Sequence, residues 1–281
     1  MIATLRQSLA LIRFHKPVGT LLLLWPTLWA LVMASKGLPD LKFLGLFVLG
    51  TFLMRSAGCV INDWADQDFD RQVARTKARP LAAQVLSSKT ALAICLGLIL
   101  AAYYVVLQCN LLTIELAFLA LFLALAYPFM KRFTYFPQLV LGLAFSTSIL
   151  LAAAAVLNSI PAWAYVLFFA NTVWVLSYDS IYSILDLEDD LKIGLKSPAV
   201  YFGRKRVNYF IALIQILFFI TLLIIKIDIG ILFLIGIILI YQQYLILSED
   251  ISKIYFAFSS NNIIGLLVLV GIILSSEKCN F

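Results

Sequence analysis

Runs of about twenty apolar residues, each ended by a short polar break, fill almost the whole chain and admit few folds. In hydrocarbon every backbone N–H and C=O must be satisfied internally, which leaves helices or a closed barrel. These runs are apolar throughout rather than alternating, so they read as helices. With 63% hydrophobic and only 13% charged residues in a chain of 281, a water-soluble core has no means of hiding the surface. The reading is an all-α polytopic membrane protein with about nine transmembrane helices. The spans lie near residues 17–35, 43–62, 90–107, 111–129, 138–157, 162–185, 207–226, 229–247 and 257–275. The segment after Ser248, with Glu249, Asp250 and Lys253, reads as the start of an interfacial helix. Trp25-Pro26 inside the first run suits a bent spanning helix better than a cleaved signal. No linker or low-complexity stretch interrupts the chain, so residues 1–281 read as one intramembrane domain.

Lys and Arg set the orientation. With the N-terminus inside, sixteen of the 21 basic residues fall on inner segments and four on outer ones, while Arg55 lies within a span. The formal charge of +6 therefore reflects topology and anionic ligands or membrane lipid, and nucleic acid is not an expected partner. The cysteines (Cys59, Cys95, Cys109, Cys279) have neither metal-ligand nor redox spacing and read as small apolar residues. A single histidine, His15, excludes a His-rich metal site and disfavours a His-based triad.

Two acidic clusters on the inner side carry the chemistry. The first holds Asn62, Asp63, Asp66 and Asp70, and the second holds Tyr178, Asp179, Tyr182, Asp186, Asp189 and Asp190. Asp63, Asp66 and Asp70 follow i, i+3, i+7, so three carboxylates share one helix face, and Asp179, Tyr182, Asp186 and Asp190 (or Asp189) repeat the geometry. Like charges stacked in this way repel, and a divalent cation among them, such as magnesium beside phosphate oxygens, relieves the repulsion. The clusters sit at the inner ends of the second and sixth spans, an arrangement that would set them face to face across a central cavity.

Each cluster is followed by cations: Arg75, Lys77 and Arg79 after the first, Lys192 and Lys196 after the second, with Lys131 and Arg132 on the same side. Cations beside magnesium neutralise a leaving diphosphate, although about half of these side chains suffice to set the orientation. Arg55 is more specific, because an arginine at a helix centre costs at least about 2.5 kcal/mol on insertion. Arg55, Asn62, Asp66 and Asp70 follow i, i+7, i+11, i+15 and share a face. An arginine aimed into the same cavity, deeper than the metals, suits a carboxylate on a second ligand. Glu115 reads as interfacial. Most aromatic residues face lipid, Tyr178 and Tyr182 excepted, because they belong to the second cluster.

The clusters resemble the NDxxDxxxD and YDxxYxxxDxxDD motifs of the UbiA-type intramembrane prenyltransferases. Further stretches are similar to the bacterial branch that prenylates 4-hydroxybenzoate: Lys16-Pro17-Val18-Gly19-Thr20, Trp25-Pro26-Thr27, Arg75-Thr76-Lys77-Ala78-Arg79-Pro80, Tyr127-Pro128-Phe129-Met130-Lys131-Arg132, Pro137-Gln138 and Lys192-Ile193-Gly194. The likeness covers about residues 10–205, and the last three spans add little to it. It implies a nine-helix bundle around a cavity with cytoplasmic cap loops, in a bacterial inner membrane. The implied reaction moves a polyprenyl group from its diphosphate to the ring carbon ortho to the hydroxyl of 4-hydroxybenzoate, in ubiquinone biosynthesis. Asp66, Asp70, Asp186 and Asp190 would hold Mg²⁺; Arg75, Lys77, Arg79, Lys131, Arg132 and Lys192 would bind the diphosphate. Arg55 and Asn62 would take the acceptor's carboxylate, and Asp179 or Asp63 the ring proton, with Tyr178 and Tyr182 alongside. The alternatives are another aromatic acceptor (naphthoate, homogentisate, haem) or, remotely, a cation transporter. A transporter would need acidic residues along the membrane depth, where this chain has Arg55.

Overall fold

The computed structural model describes residues 2–278, all of whose regular elements are helical. In order these are α1 (Ile2–Leu11), α2 (Val18–Ser35), α3 (Leu41–Asp70), α4 (Ser88–Val106), α5 (Leu111–Met130) and α6 (Pro137–Leu157). There follow α7 (Ala162–Ile193), α8 (Pro198–Ile224), α9 (Ile229–Ile246), α10 (Ile251–Ser259) and α11 (Asn261–Lys278). Among the described residues, eight helical stretches are long and apolar enough to cross a membrane. The ninth crossing is α7, which is less apolar because its buried face carries Asn171, Thr172, Ser177 and Ser180. It lies between α6 and α8, while α11 packs against α2 and α9 and α2 packs across the bundle onto α6. Large apolar side chains such as Phe233, Ile240 and Phe122 point outward, as lipid requires. Cys59 and Cys95 are buried free thiols and Cys109 is partly exposed, as small apolar fillers would be; Cys279 lies outside the described residues.

Three helices differ from the spans expected of the hydropathy. The second span continues eight residues past Asn62 to Asp70, and the sixth continues past Leu185 to Ile193. At 1.5 Å per residue, the 30 residues of α3 reach about 45 Å, well beyond a hydrocarbon core of about 30 Å. Both acidic clusters therefore sit on rigid helix, not on loops. Nothing between Asn62 and Asp70 breaks a helix, and the extension of α7 stops only where Gly194 takes φ 72°. The third difference is the last span, which divides at Ser260 into the interfacial α10 and the membrane helix α11. Asp250 caps α10 by accepting from the Ser252 N–H at 2.8 Å. Just past the break, Asn261 accepts from the Trp174 indole at 2.9 Å and Asn262 from that of Trp25 at 3.2 Å. The short helix α1 is an element that hydropathy did not mark.

The packing of α8, α9 and the end of α10 is held by a buried polar chain. Gln215 donates to Gln242 at 2.8 Å, Gln242 donates to Ser260 at 2.9 Å, and Gln243 donates to Gln215 at 2.7 Å. On the cytoplasmic side, α8 kinks at Gly203, where φ is 73°. The kink turns Arg204 toward the end of α9, where it donates to the carbonyls of Ile246 at 2.6 Å and Ser248 at 2.7 Å. Ile246 closes α9 and Ser248 lies just beyond it, so neither carbonyl has an intrahelical partner. Arg204→Ala is expected to cost about 2 kcal/mol, as for hydrogen bonds from a charged donor. It should lower the unfolding temperature of the detergent-solubilised protein while leaving the cavity's ligand affinities alone; an unchanged temperature would count against the brace.

Candidate active site

The acidic faces of α3 and α7 look into one cavity of about 1480 Å³. Its cytoplasmic mouth is polar. Its interior is lined by apolar side chains of α2 to α6 down to Ile114, near the outer end of α5. From Lys131 to Ile114 the wall runs about 25 Å at the helical rise. Asn62, Asp63, Asp66, Asp70, Tyr178, Asp179, Tyr182, Asp186 and Asp190 all line it, as does Arg55. The i, i+7, i+11, i+15 face of α3 is thus realised, with Arg55 at its deep end.

Carboxylates this buried need compensation. Asp63 is 1% exposed, Asp66 2% and Asp70 8%. The segment between α3 and α4 folds back over them, pinned by Val73, Leu81 and Leu86 in the core and by Thr76 Oγ1, which donates to the Asp70 carbonyl at 3.0 Å. That fold places Arg79 between two acids, donating to Asp63 Oδ1 at 3.2 Å and Asp70 Oδ2 at 2.8 Å. Burial works against the charge on Arg79, but Asp63 and Asp70 outweigh it and push its pKa above the ordinary arginine value. Arg75 crosses to the other cluster, donating to the Tyr182 hydroxyl at 2.7 Å and to the Asp186 carboxylate. Its guanidinium lies over the Tyr182 ring, 5.4 Å from the centroid. Lys131, at the end of α5, is paired with Asp66.

The cations predicted from position alone divide into two groups. Arg75, Arg79 and Lys131 line the cavity; Lys77, Arg132 and Lys192 are absent from its lining. Arg132 instead stacks near Phe69 and Phe129 and donates to the Ala65 carbonyl, bracing α3 from outside. Lys192 stands 3.8 Å from Asp189, three residues back on its own helix, and Lys77 is solvent-exposed. Lys16 and Arg13 also line the mouth, and neither was singled out for it by sequence. Arg13 donates to Asp63 Oδ1 at 2.7 Å, so one oxygen of Asp63 serves two guanidinium groups. At the deep end, Arg55 lies against α2 at Gly19: a Cβ there would stand 2.4 Å from a guanidinium nitrogen. The glycine gives the arginine its room.

Among the described residues, no three acidic, His or Cys side chains are close enough together to hold a cation as they stand; Asp63, Asp66, Asp70 and Asp186 lean on basic neighbours instead. Two observations nevertheless suit a divalent cation. Asp66 Oδ1 and Asp63 Oδ2 are buried without any hydrogen-bond partner, a costly state for carboxylate oxygens. In addition, the cavity is lined by seven Asp and seven Lys or Arg side chains. With its own charges balanced, the mouth has no surplus to offset a diphosphate, and divalent cations on the carboxylates would supply it.

The chain matches the model of the UbiA prenyltransferase family over residues 23–267. It is 47% identical over 270 residues to a 4-hydroxybenzoate octaprenyltransferase of Vesicomyosocius okutanii, covering 94% of this chain and 98% of that one. The 4-hydroxybenzoate octaprenyltransferase of Vibrio cholerae is 47% identical over 275 residues, covering 94% and 95%. Among solved structures, a UbiA homolog from Aeropyrum pernix superposes with a TM-score of 0.78 at 24% identity, covering 91% of this chain and 97% of that one. A UbiA homolog from Archaeoglobus fulgidus, bound to GPP and Mg²⁺, gives 0.72 at 18% identity, covering 95% and 99%. At these identities the structural matches establish the fold.

Proposed function

The chain belongs to the UbiA prenyltransferase family, and on that premise we propose that it transfers a polyprenyl group from its diphosphate to 4-hydroxybenzoate, at the ring carbon ortho to the hydroxyl. The reaction takes place in the bacterial inner membrane, with the charged mouth toward the cytoplasm as the Lys and Arg bias requires. The observation that carries the proposal is a single cavity with matched acidic and basic groups at its mouth and a long apolar interior beneath. Such a shape holds the diphosphate at the aqueous side and the isoprenoid tail in the membrane's depth. The named relatives support 4-hydroxybenzoate as the acceptor.

The roles follow from position. Asp66, Asp70, Asp186 and Asp190 are the residues that would hold Mg²⁺, which when bound stabilises the charge of the departing diphosphate. Arg75, Arg79 and Lys131, already within reach of those carboxylates, exchange them in part for phosphate oxygens. The allylic C–O bond breaks with its electron pair going to the diphosphate, and the dry interior keeps water from the resulting cation. Arg55 and Asn62 hold the acceptor's carboxylate below the mouth. Of the two candidates for the ring proton, Asp179 is the better placed. Asp63 has one oxygen engaged by Arg13 and Arg79 and serves to hold those guanidinium groups. Tyr178 and Tyr182 stand on the α7 wall of the cavity, with Arg75 over the Tyr182 ring.

Metal removal tests the proposal. Membranes containing the full chain should stop prenylating 4-hydroxybenzoate when a chelator is added and recover with excess Mg²⁺ but not Na⁺. Turnover undiminished by the chelator would contradict the metal-assisted departure.

A further inference from the structure

Helix α1 closes with an arginine where the backbone favours glycine. The Arg13 N–H donates to the Ala10 carbonyl at 3.2 Å and the Phe14 N–H to that of Leu9 at 3.2 Å. This pair of bonds closes a helix whose next residue turns left-handed. Arg13 takes that conformation, with φ 57°, although it is disfavoured for any residue with a Cβ. The turn is fixed from beneath. Leu11 has no exposed surface and packs in one cluster with Ala57, Val60 and Ile61 of α3 and with Leu81 and Leu86 of the segment after α3. Arg13 is thereby held over α3, where its guanidinium reaches Asp63.

Asp63 is 1% exposed, and its Oδ2 has no hydrogen-bond partner. Its compensation therefore falls on Oδ1, which takes Arg13 at 2.7 Å and Arg79 at 3.2 Å. Arg79 also serves Asp70, at 2.8 Å. When the diphosphate arrives and Arg79 turns to it, two acids are released. Asp70 is one of the four carboxylates that would hold Mg²⁺; Asp63 is not. A buried carboxylate stripped of its partner is strongly destabilised, so an Arg79 that was the sole partner of Asp63 would stay where it is. We propose that Arg13 is a positioning residue for diphosphate binding: a standing counter-charge on Asp63 that frees Arg79 for phosphate oxygens. The inference rests on the assignment of Arg79 to the diphosphate. The two distances agree with it, since the shorter bond belongs to the arginine that stays.

Inorganic pyrophosphate with Mg²⁺, titrated into the detergent-solubilised full chain, reads the affinity without turnover. In Arg13→Gln its Kd should rise about tenfold or more, the scale of one hydrogen bond to a charged group. In an Asp63→Asn background there is no charge left to balance. Adding Arg13→Gln there should change the Kd by less than about twofold, since the two groups act through one another. An unchanged Kd in Arg13→Gln overturns the proposal. An equal rise in both backgrounds also overturns it, by making Arg13 a direct phosphate ligand or a brace for the fold. Arg79→Gln tests the premise separately. If that variant binds pyrophosphate normally, the Arg79 assignment falls and the proposal with it; weaker binding there without any in Arg13→Gln overturns the proposal alone. Arg13→Met provides a second uncharged replacement should the glutamine variant accumulate poorly.

Discussion

Asp66→Ala should reduce turnover by roughly a thousandfold or more, the scale on which single electrostatic groups act at a leaving group. Asp66 is 2% exposed and has one carboxylate oxygen paired with Lys131 while the other has no partner. On the proposed assignment, removing it takes away a cation ligand and also strands Lys131, whose ammonium then has no acid to share with the diphosphate. Asp66→Asn keeps the shape and loses the charge, so it should lose nearly as much. Asp186→Ala tests the opposite wall, where the carboxylate is bound to Arg75. The measurement is product formed per amount of membrane-inserted protein, which separates loss of chemistry from loss of folding. Activity within a few-fold of the unsubstituted protein would remove Asp66 from the metal site.

Arg55→Ala should act on the other substrate. A buried arginine–carboxylate pair, with hydrogen bonds from a charged donor, is worth about 1.5–3 kcal/mol. The KM for 4-hydroxybenzoate should therefore rise by roughly 10- to 100-fold, with the KM for the polyprenyl diphosphate little changed. Arg55→Lys should restore only part of the loss, because a single ammonium does not reproduce the planar fork. Equal effects on both substrates would move Arg55 out of the acceptor subsite and make it a brace for the α2–α3 contact at Gly19.

Helical periodicity made the acidic faces of α3 and α7 readable, because carboxylates three and four residues apart have one geometry available once the segment is helical. It also placed Arg55 on the same face as Asn62, Asp66 and Asp70. Hydropathy did less well at helix ends. It reports where hydrocarbon stops, and α3 carries on for two more turns because its buried acids are neutralised by Arg13, Arg79 and Lys131, which come from elsewhere in the chain. The basic residues were hardest to sort. Topology places Lys and Arg on the cytoplasmic side whatever they do there, so Lys77, Arg132 and Lys192 looked no different from Arg75 and Arg79. The fold of residues 71–87 turns Arg75 and Arg79 inward and leaves Lys77 outside, while Arg132 is drawn to Phe69, Phe129 and the Ala65 carbonyl and Lys192 to Asp189. Gly19 carried no charge or spacing to mark it. Its significance is a matter of what α3 brings against it.

The most direct measurement is the identity of the product. Membranes containing the full chain would be given ring-labelled 4-hydroxybenzoate, a polyprenyl diphosphate and Mg²⁺, and the lipid extract would be analysed for the position of the new bond. The expected product carries the label, keeps its free carboxylate and hydroxyl, and bears the prenyl group on the carbon beside the hydroxyl. A prenyl ester or ether, or no labelled lipid at all, would contradict carbon prenylation at this site.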